Sequence, residues 1–311
     1  LTIILVFTSS KDDLNDDNNS LHFPTLLNTN NYKFLPKKYE PLLSKYRSNT
    51  YEPCHYHTFL SMKLITIPSY LTDIGNHSFC NYSSVTEIRV HSSVKSIGFN
   101  AFNDCFSLKT ITFDETDPIK IIEKNTFKNC KSLEKITIPS DVTHIKDNSF
   151  NGCSKLSEII IPQTLESIGS YAFNECSSLR EIRIPSSVTS IGSHAFDECT
   201  NLKFISFDEN SQLKSFEEKT FNNCQSLEEI TIPSSISSID GNIFEGCQSL
   251  KRIVFKEESK MEQIAKKQFE GIKSLEEIVI PESIEYIRED SFQGCLNLQK
   301  IKIPKNVKII E

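Results

Sequence analysis

One segment recurs along most of this chain, and the recurrence limits what the chain can become. The unit reads Leu179-x-x-Ile182-x-Ile184-Pro185-x-x-Val188-x-x-Ile191-Gly192-x-x-Ala195-Phe196-x-x-Cys199, and its next copy opens at Leu202, 23 residues on. Cysteines mark the frame at Cys105, Cys130, Cys153, Cys176, Cys199, Cys224 and Cys247, then Ile272 fills the slot, then Cys295; the steps are 25, 23, 23, 23, 25, 23, 25 and 23. Tyr82 holds the same slot 23 residues before Cys105. A fixed period of this size is the signature of a stacked repeat architecture. The repeats run from Leu64 to the chain end, leaving residues 1–63 as a non-repeat segment.

Each copy reads as one turn of a solenoid. Leu179, Ile182 and Ile184 point one way while Glu181 and Arg183 alternate to the other, a period of two that marks a short strand. Pro185 ends the strand because it has no N–H for a ladder. Val188 and Ile191 return apolar groups to the interior, and Gly192 permits a tight bend. The stretch to Cys199 has room for a turn or two of helix or for irregular turns. A single copy cannot bury its apolar side, whereas stacked copies share a continuous core. Strands of successive turns lie about 4.8 Å apart, so some ten turns make a body on the order of 45–50 Å long.

Three copies are two residues longer. Their strands end in Phe113, Phe207 or Phe255, and a polar loop follows at 114–118, 208–212 or 256–260. Insertions in solenoids map to one face, so these loops should share an edge. Their carboxylates (Asp114, Glu115, Asp117, Asp208, Glu209) lack the ligand spacing of a calcium loop and read as solvated loop charges.

The unit closely resembles the leucine-rich repeat of the BspA-like surface-antigen family; the run Ile182-Arg183-Ile184-Pro185-Ser186-Ser187-Val188-Thr189-Ser190-Ile191-Gly192 is typical of it. The resemblance implies an α/β leucine-rich-repeat solenoid with a parallel sheet on its concave face and short helical or irregular turns on the convex side. It also implies a surface protein that binds partner proteins, with no catalytic residues to carry over. Tyr82 and Ile272 at the cysteine slot, His91 at a proline slot and the whole of residues 1–63 depart from the pattern.

Composition narrows the function classes. A net charge of −7 in 311 residues argues against nucleic acid as main partner, since phosphate binding rests on clustered Lys and Arg. No stretch approaches the roughly 20 apolar residues of a membrane-spanning helix. There is no G-x-S-x-G, H-E-x-x-H, G-x-G-x-x-G or P-loop pattern, so the chain reads as non-enzymatic, with no cofactor and no metal. Cys54-x-x-His57 with His77-x-x-Cys80 has the pair spacing of a zinc site, but His77 shares a repeat slot with His194 and Cys80 follows the ordinary repeat residue Phe79. Eight of the ten cysteines occupy one slot of successive turns and read as a ladder of free, buried, inert thiols: side chains stacked in parallel fit a disulfide dihedral near 90° poorly.

In such a stack the outward strand positions line up in columns. One column runs Arg183, Ser206, Thr231, Val254; the column two residues earlier runs Glu181, Phe204, Glu229, Arg252. Interfaces favour aromatic and Arg anchors. The expected partner-binding residues are therefore Arg183, Phe204, Ser206, Glu229, Arg252 and Val254, centred on Phe204. The expected function is recognition or adhesion at the cell surface or in secreted form, with an intracellular scaffold in the cytoplasm as the alternative. Residues 1–63 are expected to be partly disordered or capping; Leu1–Phe7 reads either as the tail of a signal sequence or as a capping strand. The absent initial Met and the bare repeat start at Val307 and Ile310 read as a chain truncated at both ends. Sequons at Asn18, Asn76 and Asn81 permit glycosylation.

Overall fold

The structure, a computed structural model, describes residues 63–311 except 68, 70 and 115–117, together with two short strands at Ile4–Leu5 and Thr25–Leu26 that pair antiparallel. Cys54 and His57, half of the zinc-like spacing that the sequence argues against, and, those strands apart, the rest of residues 1–62 lie outside the described residues. From Leu64 the chain forms eleven turns, each opening on a strand of three or four residues. The cysteine frame marks ten of them; the eleventh strand, Lys300–Lys302, opens after Cys295.

Successive strands pair in parallel and in register: Ile182 lies beside Ile205, and Ile230 beside Ile253 beside Ile278. Alternation does the sorting. In Glu181–Ile184 the burial pattern is exposed, buried, exposed, buried, so Ile182 and Ile184 enter the core while Glu181 and Arg183 face solvent. The ladder of these longer strands opens at two seams, between Glu158–Ile160 and Glu181–Ile184 and between Phe204–Phe207 and Glu229–Ile232. A second ladder of two-residue strands, such as Ser167–Ile168 beside Ser190–Ile191, forms another side of each turn.

The third side takes the irregular of the two forms expected for it. No helix occurs among the described residues, so the α/β description with helical turns is corrected to an all-β solenoid. Between Gly169 and Cys176 the amides alternate: Tyr171, Phe173 and Glu175 donate to Ser193, Ala195 and Asp197 of the next turn, while Ala172, Asn174 and Cys176 donate three residues back. Left-handed residues enforce the alternation. Tyr171 (φ 56°) and Glu175 (φ 59°) recur as His194 and Glu198, and as Asn125 and Asn129. A residue with φ near +57° every fourth position forbids a helix. Spacing adds a second reason: an α-helix with side chains is about 10–12 Å across, so a helix in every turn would splay that side well beyond the about 4.8 Å pitch of the strands and bend the stack. Backbone that hydrogen-bonds from turn to turn keeps that pitch.

Inside, identical residues stack. Leu179, Ile184, Val188, Ala195, Phe196 and Cys199 are fully buried, as are their counterparts in most turns. Ten phenylalanines from Phe79 to Phe292 form one column, with neighbouring rings 5.2–6.3 Å apart and within 19° of parallel. The cysteines complete this column. Each ladder Sγ–H donates to the carbonyl of the preceding turn's phenylalanine, Cys199 to Phe173 at 3.1 Å and Cys176 to Phe150 at 3.3 Å among them. That carbonyl already accepts the amide of its own turn's cysteine (Cys176 N to Phe173 O, 3.1 Å), so the thiol satisfies its second lone pair. Cysteine is small enough for the slot and still carries a weak donor. Cys105, Cys130, Cys153, Cys176, Cys199, Cys224 and Cys247 are buried thiols with no disulfide, and Cys295 is half-buried.

At Gly192 space is the constraint the structure shows. A Cβ there would meet Ser170 N at 2.5 Å, so the slot is kept open by the close approach of the previous turn's backbone.

Candidate interaction surface

The 25-residue turns leave the sheet at equivalent places, because Phe113, Phe207 and Phe255 each pair with the last strand residue of the turn before. Their loops reach back. Asp114 accepts the Ser92 amide at 3.0 Å, and Asp208 holds Arg183 in an ion pair in which the guanidinium is largely exposed and the carboxylate largely covered. The Asp208 hydrogen bond, with its charge, raises the Arg183 pKa still further. Arg183 is thus anchored rather than free.

Phe204 is the most exposed aromatic side chain among the described residues, at 55%. It stands on the last strand before the second seam, across which lie Glu228 and Glu229. A shallow groove of about 380 Å³ opens there; Phe204 forms one end, Glu228, Glu229, Lys251, Arg252, Glu276 and Glu277 the floor, and Lys300 the other end. Arg252 lies between carboxylates of both neighbouring turns, 3.4 Å from Glu229 and 3.4 Å from Glu277. Its Nε is out of water yet not aligned for a hydrogen bond to Glu277.

Of the six residues singled out from sequence, the groove brings together Phe204, Glu229 and Arg252. Arg183 and Ser206 are register partners, and Val254 pairs with Thr231, all in the adjacent column. Sequence reasoning passed over Ile160, 52% exposed, one turn before Arg183 in that column. Its signal was an isoleucine at an outward slot, in Glu158-Ile159-Ile160, where most other turns carry Thr, Ser or a charge and only Val254 and Val279 are also apolar. No group of His, Cys, Asp and Glu among the described residues is arranged to hold a metal ion, and no helix among them is long and apolar enough to cross a membrane.

A stack of short parallel strands closed by turn-to-turn hydrogen bonds, with one regular sheet of outward side chains, defines the class: a leucine-rich-repeat solenoid. A family model described as BspA type leucine rich repeat region matches residues 49–131, 120–250 and 209–311, in six copies. The chain belongs to the BspA-type leucine-rich repeat family. Among solved structures it is similar to a leucine-rich repeat protein from Bacteroides ovatus, at 23% identity over 83% of this chain and 88% of that one, with a TM-score of 0.49. It is similar also to a leucine rich cell surface protein from Faecalibacterium prausnitzii, at 26% identity over 78% and 88%, with a TM-score of 0.41. A third is the pneumococcal vaccine antigen PcpA, at 20% identity over 77% and 78%, with a TM-score of 0.45. No curated protein matches the chain.

Proposed function

We propose that this protein is a non-enzymatic recognition module of the cell surface, which binds a protein partner through the face of its longer strands with Phe204 at the centre of contact. The observation that carries the reading is Phe204 itself: an aromatic ring left 55% exposed on a sheet whose other outward slots are mostly polar, at the mouth of a groove floored by charges. Interfaces concentrate binding energy in a few aromatic and Arg anchors near the centre of contact.

A benzophenone side chain at position 204 should trap the partner on living cells, and one at Ser190 on the second ladder should not. With the trapped partner in hand, Phe204→Ala combined with Arg183→Ala should weaken binding about tenfold or more. Because Phe204 is exposed and Arg183→Ala removes only the one ion pair to Asp208, the unfolding transition should move by no more than about 1 kcal/mol. Unaltered affinity in the double variant ends the assignment to this face. For location, a membrane-impermeant amine reagent should label the protein on intact cells. Labelling only after lysis would transfer the same binding face to an intracellular scaffold.

A further inference from the structure

The floor of the groove is banded. Glu228 and Glu229 stand side by side in one turn, Lys251 and Arg252 in the next, Glu276 and Glu277 in the one after, so full-width stripes of one sign alternate along the stack. Like charges side by side repel, and pairing along the stack alone does not require them. The pairs that do form are loose: Lys203–Glu228 at 3.6 Å, Lys251–Glu276 at 3.2 Å and the two Arg252 contacts at 3.4 Å are the four longest of the thirteen ion pairs among the described residues. Their side chains stay roughly one-third to two-thirds exposed, free to take other partners.

Resting on the reading of this face as a protein-binding surface, we propose that one occupant it fits is a second copy of the chain, related by a two-fold axis that runs parallel to the strands in the gap between the two facing sheets, level with the space between the Glu229 and Arg252 rows. That axis reverses the order of turns and keeps the columns. Glu228 and Glu229 then face the second copy's Lys251 and Arg252, Lys203 faces its Glu276, and Glu181 faces its Lys300. Thr231 meets Val254 at the centre. An axis along the stack would instead set each band against its own sign, so the charges select one geometry. Six rows at about 4.8 Å by three exposed columns make a patch of a few hundred Å², below the about 800 Å² per partner of a standard interface. The pair is therefore weak and salt-sensitive.

Sedimentation of the whole chain from micromolar to submillimolar concentration tests this. The wild type should dimerise at low salt, and raised salt should weaken the association about tenfold or more. The variants K251E/R252E and E228K/E229K should each be monomeric alone, and an equimolar mixture should regain the dimer because opposite bands again face each other. Should charge reversal unfold either chain, the truncation K251A/R252A should show the same loss of self-association. A wild type monomeric throughout, or a mixture of folded variants that stays monomeric, overturns the inference. A monomeric wild type whose partner capture is still weakened by Phe204→Ala with Arg183→Ala leaves the recognition reading standing and removes only the second copy.

Discussion

Between about pH 9 and about pH 10.5 the protein should lose its fold in one steep step, driven by its buried thiols. Burial pushes every ladder thiol above its ordinary value of 9.0; Cys247 is pushed up to about 12, and Cys105, Cys130, Cys153, Cys176, Cys199 and Cys224 go higher. The folded chain therefore keeps these seven protons after the unfolded chain has released them. Unfolding in that window releases protons, and stability falls as pH rises; below the unfolded value both states are protonated and the thiols have no effect. Each thiol costs about 1.4 kcal/mol per pH unit, so seven cost about 10 kcal/mol per unit, comparable with the about 5–15 kcal/mol that holds a typical domain together. Circular dichroism with urea titrations at several pH values measures the slope. Cys176→Ala with Cys199→Ala should reduce it by about 3 kcal/mol per unit. Stability that stays level across the window would mean that the thiols titrate in the folded state and are not buried as described.

The second large effect concerns the aromatic column. Phe196 is fully buried, 5.4 Å from the Phe173 ring and 5.7 Å from that of Phe221. Phe196→Ala should cost about 3–5 kcal/mol, the transfer free energy of the ring plus the cavity it leaves. In a solenoid each turn contacts only its neighbours, so the loss falls on two interfaces at once. The expected result is a large drop in the urea midpoint, with faster amide exchange concentrated in the turns from Phe173 to Phe221. Phe204→Ala, at the same residue type but on the surface, serves as the control and should barely move the midpoint. A Phe196→Ala midpoint within error of wild type would show that the rings do not bear on one another.

Much of this was readable in advance. The cysteine frame alone locates the turns, because a slot repeated at 23 or 25 residues leaves no other register, and the strand alternation at Ile182 and Ile184 follows from period two. The sequence leaves the third side open between helical and irregular turns because the left-handed slots are disguised. Asn100, Asn125 and Asn148 in one slot, and Asn81, Asp104, Asn129 and Gly152 in the other, are the residues that tolerate positive φ. Tyr171, Glu175 and Glu198 occupy the same slots without that tendency, and they lie in or beside the copy from Leu179 to Cys199 that shows the repeat most clearly. At the surface, the columns were legible from spacing, whereas the Arg183–Asp208 pair was not: Asp208 belongs to a loop insertion 25 residues on, and only the return of that loop brings it back.

The two openings in the longer-strand ladder carry a mechanical consequence. Glu181–Ile184 and Phe204–Phe207 are hydrogen-bonded to each other and to neither neighbour on that side. Tension along the stack should therefore part this side at Ile160 and at Phe207 first. The rungs that display Arg183 and Phe204 would then pivot as a unit while the phenylalanine column behind them stays closed.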